Sequence, residues 1–461
     1  MGSQPNAMSQ GLKAESCVYH SPLTRSLAFA VTLLATAFLP ILPPNALAET
    51  GGSSDSDTTS APVIYAVTVT GNRLTAESFI IREMRLKPGM RATIKALERD
   101  RAHLRSLGLF NRVEFKVSSD RGRAVVKVEV SEPFYLYPIL ILNVDPKEPS
   151  HRTYGLQLYH NNFRGLGARL GGAVWSGATR GFTIFHNDPW FSFGSFGLDA
   201  QLHYNEGEIR DTNDSLMERK LFSVSATHRQ RLGLQSWIDV GASWINIDAS
   251  RDSYTFTPGS RDRVAGVSLA LLTDHRDYQY YPTRGILFRA AGEANSAVDV
   301  PHYFYRETIE FRRFRSLHNL IFAWRAVGRF AQQQLPEYYY LSMDRNLIRA
   351  GEGYDFSRGG LGAASLEMRF NLRRMRFYSF PWVPLLARYC ENLKFSVEGV
   401  LFGDAGVVFD YRDGVTERFR AAGCGVQLQV PFLETIHILA GWTPRDRLAE
   451  PSLTAGVGVT Y

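Results

Sequence analysis

Charged and aromatic side chains stand close together among small residues in the segment LIRAGEGYDF, residues 347–356. The segment contains Arg349, Glu352, Tyr354 and Asp355. A guanidinium is a planar donor that pairs with carboxylates, and glycine lets the backbone turn sharply enough to present it. Residues of these types favour an ion pair between the arginine and a carboxylate. The rest of the sequence must indicate where in the fold such a pair would lie.

A second charged segment, LLTDHRDYQYYPTRG (271–285), places an arginine between acids. Asp274, Arg276 and Asp277 are predicted to pair across neighbouring strands. Pro282 and Gly285 suit the two ends of a tight turn. We therefore interpret this segment as structural.

Catalytic motifs are absent from the sequence, which has no Gly-x-Ser-x-Gly, His-Glu-x-x-His or Cys-x-x-Cys pattern. The glycine-rich run RGLGARLGG (164–172) is interpreted as close packing of strands. The 11 histidines are scattered without the spacing of metal ligands. The sequence predicts neither an enzyme nor a bound metal or other cofactor.

Residues 1–48 have the pattern of a secretory signal peptide. Arg25 precedes the apolar run SLAFAVTLLATAFLPIL, and Ala46 and Ala48 are the small residues before an expected cleavage at Glu49. Residues 49–62 predict a flexible linker. The protein is therefore expected to leave the cytoplasm.

The formal net charge of +7 comes from arginines that are spread singly rather than gathered in one basic stripe. This pattern does not favour a nucleic-acid partner, and anionic lipids or lipopolysaccharide are the expected counter-charges. Removal of the signal peptide also removes Cys17. Cys390 and Cys424 then remain, and the sequence leaves open whether they pair or are separate thiols.

Residues 63–132 predict a small α+β domain with the order β-α-α-β-β. VIYAVTVT (63–70) alternates as a strand, and Thr75 and Thr93 are predicted to cap two helices. The buried face of the second helix is expected to contain Ile94, Leu97, Leu104 and Leu107. Two alternating strands, RVEFKV and AVVKVEV, complete the domain.

Residues 133–461 contain short alternating segments separated by glycine, asparagine and aspartate, such as GVQLQV (425–430) and LTAGVGVTY (453–461). At roughly 20 residues per strand and connection, this length gives about 16 strands, an even number as in single-chain outer-membrane barrels. Closure pairs the backbone groups that an open sheet edge would leave unsatisfied in hydrocarbon. The expected fold class is mainly β: an antiparallel transmembrane β-barrel of about 16 strands, preceded by one small α+β domain.

The small domain resembles a POTRA domain in VTVTGN, LKPGM, LRSLGLFNRVEFKV and VVKVEVSE. The later segments YHNNFRGLGARL, FHNDPWF, SLEMRF (365–370) and FGDAG (402–406) resemble strands of the surface-antigen-type barrel of the BamA/TamA-type outer-membrane assembly and translocation family. The 271–285 segment resembles the Asp-x-Arg-Asp segment of that family. The end of the chain resembles its terminal insertion signal, which here comprises Gly456, Val457, Gly458, Val459 and Tyr461.

The resemblance also gives a role to the opening segment. In this family a long extracellular loop folds into the barrel, and its tip arginine pairs with an acid on an inner strand. It implies Arg349 as the tip arginine and Asp404 as its partner, with Glu367 as the second choice and Gly406 in the partner motif. Here the sequence departs from the family pattern, because Ala350 stands at the expected glycine. A competing alignment instead places Glu352 where the arginine should be.

By this resemblance, the chain is an assembly or translocation factor of the outer membrane of a Gram-negative-type bacterium. The POTRA domain would lie in the periplasm and capture unfolded client chains, and the seam between the first and last strands would assist their insertion. The expected partners are outer-membrane or exported proteins and outer-membrane lipids, with a periplasmic chaperone or lipoprotein as a further candidate. A two-partner-type secretion pore for one dedicated protein and a plain diffusion channel are the alternatives.

Overall fold

The computed structural model describes residues 61–120, 122–144, 148, 150–191, 196–212, 215–279, 281–351, 353–380, 382, 393–411, 414–430, 433–444 and 451–457. The signal peptide predicted at 1–48, nearly all of the linker at 49–62, Cys390 and the last four residues lie outside this part of the chain. No helix among the described residues is long and apolar enough to span a membrane.

The small N-terminal domain is a three-stranded sheet covered by two helices, which confirms the predicted β-α-α-β-β order. Its elements are β1 (Val63–Thr70), α1 (Glu77–Arg82), α2 (Ile94–Ser106), β2 (Arg112–Asp120) and β3 (Arg123–Ser131). β3 lies in the middle of the sheet, parallel to β1 and antiparallel to β2. The core residues Phe79, Ile80, Leu104, Val126 and Val128 are almost fully buried between helices and sheet.

Of the two predicted helix caps, one is confirmed and the other is wrong. The side chain of Thr93 accepts a hydrogen bond from the backbone N–H of Ala96 at 3.2 Å. Helix α1 instead follows Ala76, which gives no side-chain cap. The Thr75 hydroxyl is engaged elsewhere, because the side-chain amide of Asn162 donates to it at 2.8 Å.

The predicted buried face of α2 is wrong at Ile94, which is 75% exposed. The reason is that two polar residues, Asp100 and His103, occupy buried positions on this helix. Asp100 accepts a hydrogen bond from the backbone N–H of Leu86, and His103 is buried beside Leu104. These contacts turn the helix so that its first residue points to solvent.

After the small domain, 16 strands of the described residues form one antiparallel sheet, which confirms the predicted barrel. Its strands are β4 (Leu136–Val144), β5 (Arg152–Phe163), β6 (Ala168–Gly177), β7 (Thr179–Asp188), β8 (Phe196–Arg210), β9 (Leu216–Arg231), β10 (Ser236–Ala249), β11 (Arg261–Asp274), β12 (Gly285–Ala297), β13 (His302–Leu317), β14 (Leu320–Ala331), β17 (Gly359–Tyr378), β18 (Leu393–Asp410), β19 (Gly414–Val430), β20 (Leu433–Trp442) and β21 (Ser452–Val457). Each strand pairs with its neighbours in chain order, so that β4 and β21 are the terminal strands.

The two faces of the barrel wall differ as lipid and interior require. Leu140, Val267 and Ile438 are exposed on the outer face. Side chains alternate along β19: Gln427 and Gln429 are almost fully buried in the interior, whereas the preceding Val426 is exposed on the outer face. An apolar outer face and a polar interior are the pattern of membrane barrels.

A long loop, residues 332–358, joins β14 to β17 and carries the hairpin β15 (Leu341–Met343) and β16 (Tyr354–Phe356). Because neighbouring strands are antiparallel, this loop starts at the barrel end opposite the small domain. Its residues Met343, Leu347 and Ile348 are nearly fully buried against the barrel wall. The loop therefore folds back into the barrel interior.

Candidate functional site

At the tip of the long loop, Arg349 contacts Asp404 of β18 through both its backbone and its side chain. The carboxylate accepts hydrogen bonds from the Arg349 backbone N–H and Nε, both at 3.0 Å to Oδ2, and from Nη2 at 2.7 Å to Oδ1. Arg349 and Asp404 are each 5% exposed. This bidentate contact is the stronger form of an arginine–carboxylate ion pair.

Glu367 of β17 completes the cluster, since its Oε2 accepts a hydrogen bond from Nη1 of Arg349. The side chain of Ser365 donates to Asp404, and the guanidinium carbon of Arg349 lies 3.9 Å from the centre of the Phe402 ring. The structure thus brings together Arg349, Asp404 and Glu367. Removing one partner from such a buried cluster leaves an uncompensated charge, which is strongly destabilising.

Small residues in the wall make room for the loop. A Cβ on Gly406 would lie 2.9 Å from Met343 Cε and 3.1 Å from Ile348 Cδ1. A Cβ on Gly441 would lie 2.8 Å from the Cβ of Ala350. Ala350 does not have a left-handed backbone, so this position does not require the glycine that the family pattern has there. Glu352, on which the competing alignment depends, lies outside the described residues.

Arg369, which the sequence reasoning did not single out, extends the cluster toward the other end of the barrel. It is fully buried, and its Nε donates to Glu367 Oε1 at 2.5 Å. Its Nη1 also donates to the carbonyl oxygen of Pro282 at 3.4 Å. The signal was present in SLEMRF, because residues two positions apart on a strand share a face.

The 271–285 segment pairs internally, so the prediction that its charges pair across strands is wrong. Arg276 contacts Asp274, two positions earlier, with Nη2 2.7 Å from Oδ2. Asp277 accepts hydrogen bonds from the backbone N–H groups of Thr283 and Arg284 at 2.9 and 3.1 Å. The reason is that β11 ends at Asp274, so the later residues lie in a turn that they hold together.

Gly285 closes this turn with a φ of +109°. A Cβ at this position would lie 2.2 Å from the carbonyl oxygen of His275, so no other residue fits. The carbonyl of Pro282 faces the barrel interior, where it meets Arg369.

The small domain is fixed to the first turns of the barrel by contacts that the sequence did not reveal. The backbone N–H of Ala76 donates to the carbonyl of Gly165 at 2.9 Å. A Cβ on Gly167 would lie 2.5 Å from the Phe79 ring. The interpretation of RGLGARLGG as strand packing is therefore wrong for its first two glycines, which have φ of +71° in the turn 164–167 and lie against the small domain. Tyr135 is buried at the same junction, and burial raises its pKa.

A second buried carboxylate, Glu83, lies at this junction. Its Oε2 is 2.9 Å from Nε2 of His103, and Arg231 at the end of β9 lies 3.4 Å away. The indole N–H of Trp190 donates to Glu83 Oε1 at 2.5 Å, and the guanidinium of Arg231 lies 4.2 Å from the centre of the Trp190 ring. Burial alone would raise the pKa of Glu83, but the hydrogen bond from His103 and the charge of Arg231 outweigh it and hold the pKa below 4.5. We call these four residues the junction cluster.

The terminal strands of the sheet are short. Within the described residues no hydrogen bonds join β4 to β21. Gly456 and Val457 of β21 pair with His437 and Ile436 of β20, whereas Gly458, Val459 and Tyr461 lie outside the described residues. The side chain of Thr454 donates to the carbonyl of Arg349 at 3.3 Å, so the loop tip touches the last strand.

The described residues contain no group of three or more histidine, cysteine, aspartate or glutamate side chains that could hold a metal ion. Cys424, on β19, is an exposed free thiol.

Two family descriptions match this chain. Residues 62–132 match POTRA, the surface antigen variable number repeat, and residues 162–344 match the Omp85 superfamily domain. No curated protein matches the sequence significantly.

Solved structures that match this chain include the following three. CdiB from Escherichia coli is 13% identical with a TM-score of 0.50, and the match covers 94% of this chain and 95% of that chain. CdiB from Acinetobacter baumannii is 10% identical with a TM-score of 0.51, covering 87% and 74%. BamA from Haemophilus ducreyi lacking POTRA domains 1–3 is 16% identical with a TM-score of 0.48, covering 86% and 84%. With a POTRA domain followed by an Omp85 domain within a 16-stranded barrel, this chain is an outer-membrane protein of the Omp85 superfamily.

Proposed function

We propose that this protein is an assembly or translocation factor in which the POTRA domain captures unfolded chains and the terminal barrel strands assist their insertion. In this proposal the POTRA domain spans residues 63–132 and lies in the periplasm, and the barrel spans residues 133–461. The observation that carries the proposal is a free sheet edge on a domain that is docked directly to the barrel.

The free edge belongs to β2. On the other side of the sheet, the outer edge of β1 is covered at its start, because Ile64 N–H donates to the Met90 carbonyl and Gly89 N–H donates to the Ile64 carbonyl, both at 2.8 Å. No strand covers β2 among the described residues. An uncovered edge presents backbone donors and acceptors to which an extended client chain can add as a further strand.

The terminal strands support the second part of the proposal. β4 contains Pro138, which has no N–H to give to a ladder and is therefore suited to an edge strand. Leu140 and Leu142 on the same strand are 84% and 73% exposed. Among the described residues β4 has a hydrogen-bonded neighbour on one side only, and the other side of such a strand can take up a client strand.

Photo-crosslinking from each edge tests this function. A photoreactive residue replaces Ser118 on β2 or Leu142 on β4 in the full chain. The controls are Tyr65 on β1, which is 66% exposed, and Val240 on β10, which is 53% exposed. Crosslinks to precursors of many outer-membrane proteins from Ser118 and Leu142, and none from the controls, are the expected result. Equal crosslinking from all four positions would contradict capture by edge addition.

The same experiment separates the alternatives. A secretion pore for a dedicated protein would give crosslinks to one exported chain. A plain diffusion channel would give no protein crosslinks and would conduct steadily in planar bilayers. The loop that fills the interior near Arg349 argues against a wide, steady channel.

A further inference from the structure

A cavity of about 440 Å³ lies between the POTRA domain and two turns of the barrel, and cationic side chains dominate its wall. Arg85 and Arg99 line it from the POTRA domain, and Arg276 and Arg284 line it from the turn after β11. Asp277 is the one carboxylate among the described lining residues. Four guanidinium groups against one carboxylate in a concave site produce a positive potential.

Two of these charged side chains, Arg276 and Asp277, already make contacts within the turn itself. Arg276 is paired with Asp274 at 2.7 Å. Asp277 accepts hydrogen bonds from the backbone and hydroxyl of Thr283 and from the backbone of Arg284. Its carboxylate holds the turn together and keeps its negative charge, which offsets one of the remaining cationic charges.

The other three arginines of the cavity wall have no acidic partner in the described part of the protein. Among the described residues, no carboxylate pairs with Arg85, Arg99 or Arg284. The side chain of Arg85 reaches only the neutral amide oxygen of Gln235, at 3.4 Å. These three arginines outnumber the one carboxylate of the cavity wall and repel each other, and an anion would relieve that repulsion.

Two histidines also line the cavity. His103 is 7% exposed and donates through Nε2 to the ionised Glu83 carboxylate, whereas its Nδ1 has no hydrogen-bond partner among the described residues. Burial and the nearby charge of Arg85 lower the pKa of His275.

We propose that this cavity binds a phosphate group carried by an anionic phospholipid head group. The planar fork of arginine matches phosphate oxygens, and basic pockets beside membrane-spanning segments bind anionic head groups. The volume lies in the range of small-molecule sites, about 300 to 1,000 Å³, which exceeds the need of a single phosphate ion. Inorganic phosphate offers the same chemistry, so the test must separate the two sources.

Titration calorimetry on the full chain in a phosphate-free maltoside detergent provides the test. The probes are dihexanoyl phosphatidylglycerol below its micelle concentration, inorganic phosphate, and dihexanoyl phosphatidylcholine. The test variant is the double substitution Arg99→Gln/Arg284→Gln, which removes one exposed arginine from each side of the cavity. The control is Arg123→Gln/Arg261→Gln, which removes two exposed arginines elsewhere. Heat-modifiability on gels verifies that both variants are folded.

We expect phosphatidylglycerol to bind more tightly than phosphatidylcholine, and the test variant to lose at least about tenfold in affinity while the control keeps it. Tighter binding of phosphatidylglycerol than of inorganic phosphate identifies the lipid as the source. Equal or tighter binding of inorganic phosphate identifies a soluble anion instead and overturns the lipid assignment. Absence of binding by both anions, equal binding of the two lipids, or an unchanged affinity in the test variant overturns the site itself.

Discussion

Asp404 in the barrel interior and Glu83 in the junction cluster are both buried carboxylates, yet their cations reach them in different ways. Arg349 holds Asp404 with a backbone and two side-chain hydrogen bonds, from a loop that is itself packed by Leu347 and Ile348. Glu83 is held by groups from three segments, and Arg231 is 3.4 Å away. The first arrangement fixes one loop inside one domain. The second fixes two domains to each other through several weaker contacts.

The difference implies unequal sensitivity to single substitutions. A charge with one dominant partner loses most of its stabilisation when that partner is removed. A charge with several partners loses only a part. Substitutions at the two sites test this contrast and are given in decreasing order of the expected loss.

Arg349→Ala is expected to have the largest effect. Asp404 loses its cation and keeps only the Ser365 hydroxyl and the backbone N–H of residue 349. Breaking a buried ion pair of this kind costs about 3 to 5 kcal/mol. The loop should lose amide protection over residues 341–351, measured by hydrogen exchange, and the barrel should unfold at a lower temperature on gels. Arg345→Ala, at an exposed position of the same loop, is the control and should leave both unchanged. Wild-type protection in Arg349→Ala would show that the apolar residues alone hold the loop.

Glu83→Gln is expected to have a smaller effect, because an amide of the same shape can still contact His103 and Trp190 and loses only the charge that faces Arg231. About 2 kcal/mol is expected, which is in the range for hydrogen bonds to a charged group. Exchange should quicken in peptides that cover 74–83 and 162–167, while the barrel strands stay protected. Glu98→Gln on α2, where the side chain is 64% exposed, should change nothing. An effect as large as that of Arg349→Ala would remove the contrast between the two clusters.

The junction cluster also predicts a pH dependence. Because the folded protein holds the pKa of Glu83 below 4.5, ionised Glu83 stabilises the junction fully above that value. This contribution is lost as the pH falls through the lowered pKa. The difference in junction protection between wild type and Glu83→Gln should therefore shrink as the pH falls from about 6 to about 3. A constant difference over that window would mean that the charge of Glu83 does not hold the junction.

Thr454→Val should have the smallest effect, about 1 kcal/mol, the typical net value of one neutral hydrogen bond. It removes the contact between β21 and the carbonyl of Arg349. Protection should fall slightly at the loop tip and at β21 together. Thr416→Val, which removes a similar bond to Val408 on β18, should leave the loop tip unaffected. If loop and last strand do not respond together, the tip is not coupled to the seam.

The sequence predicted the fold more completely than it predicted the sites. Strand alternation and length gave the 16-stranded barrel, and the order of elements gave the POTRA domain, because both depend on local periodicity. Arg349, Asp404 and Glu367 could be named in advance because each lies in a short motif of the family. Their geometry became known only from the structure.

The junction cluster could not be found in this way. Glu83, His103, Trp190 and Arg231 come from separate segments, and none has a neighbour in the sequence that suggests its partner. The errors at Thr75 and Ile94 have the same cause, since a contact with Asn162 and the buried Asp100 decide those positions. Long-range polar contacts override the local preferences that a helix cap or an apolar stripe expresses.

The position of Arg369 has a consequence for how the loop can leave the barrel. Glu367 touches two cations while the loop is inserted, Arg349 and Arg369. When Arg349 withdraws, Glu367 remains neutralised by Arg369, which is fully buried and stays with the wall. Asp404 alone is then left without a cation. Ejection of the loop therefore leaves one uncompensated carboxylate rather than two, and this charge opposes ejection in addition to the loss of the apolar contacts of Met343, Leu347 and Ile348.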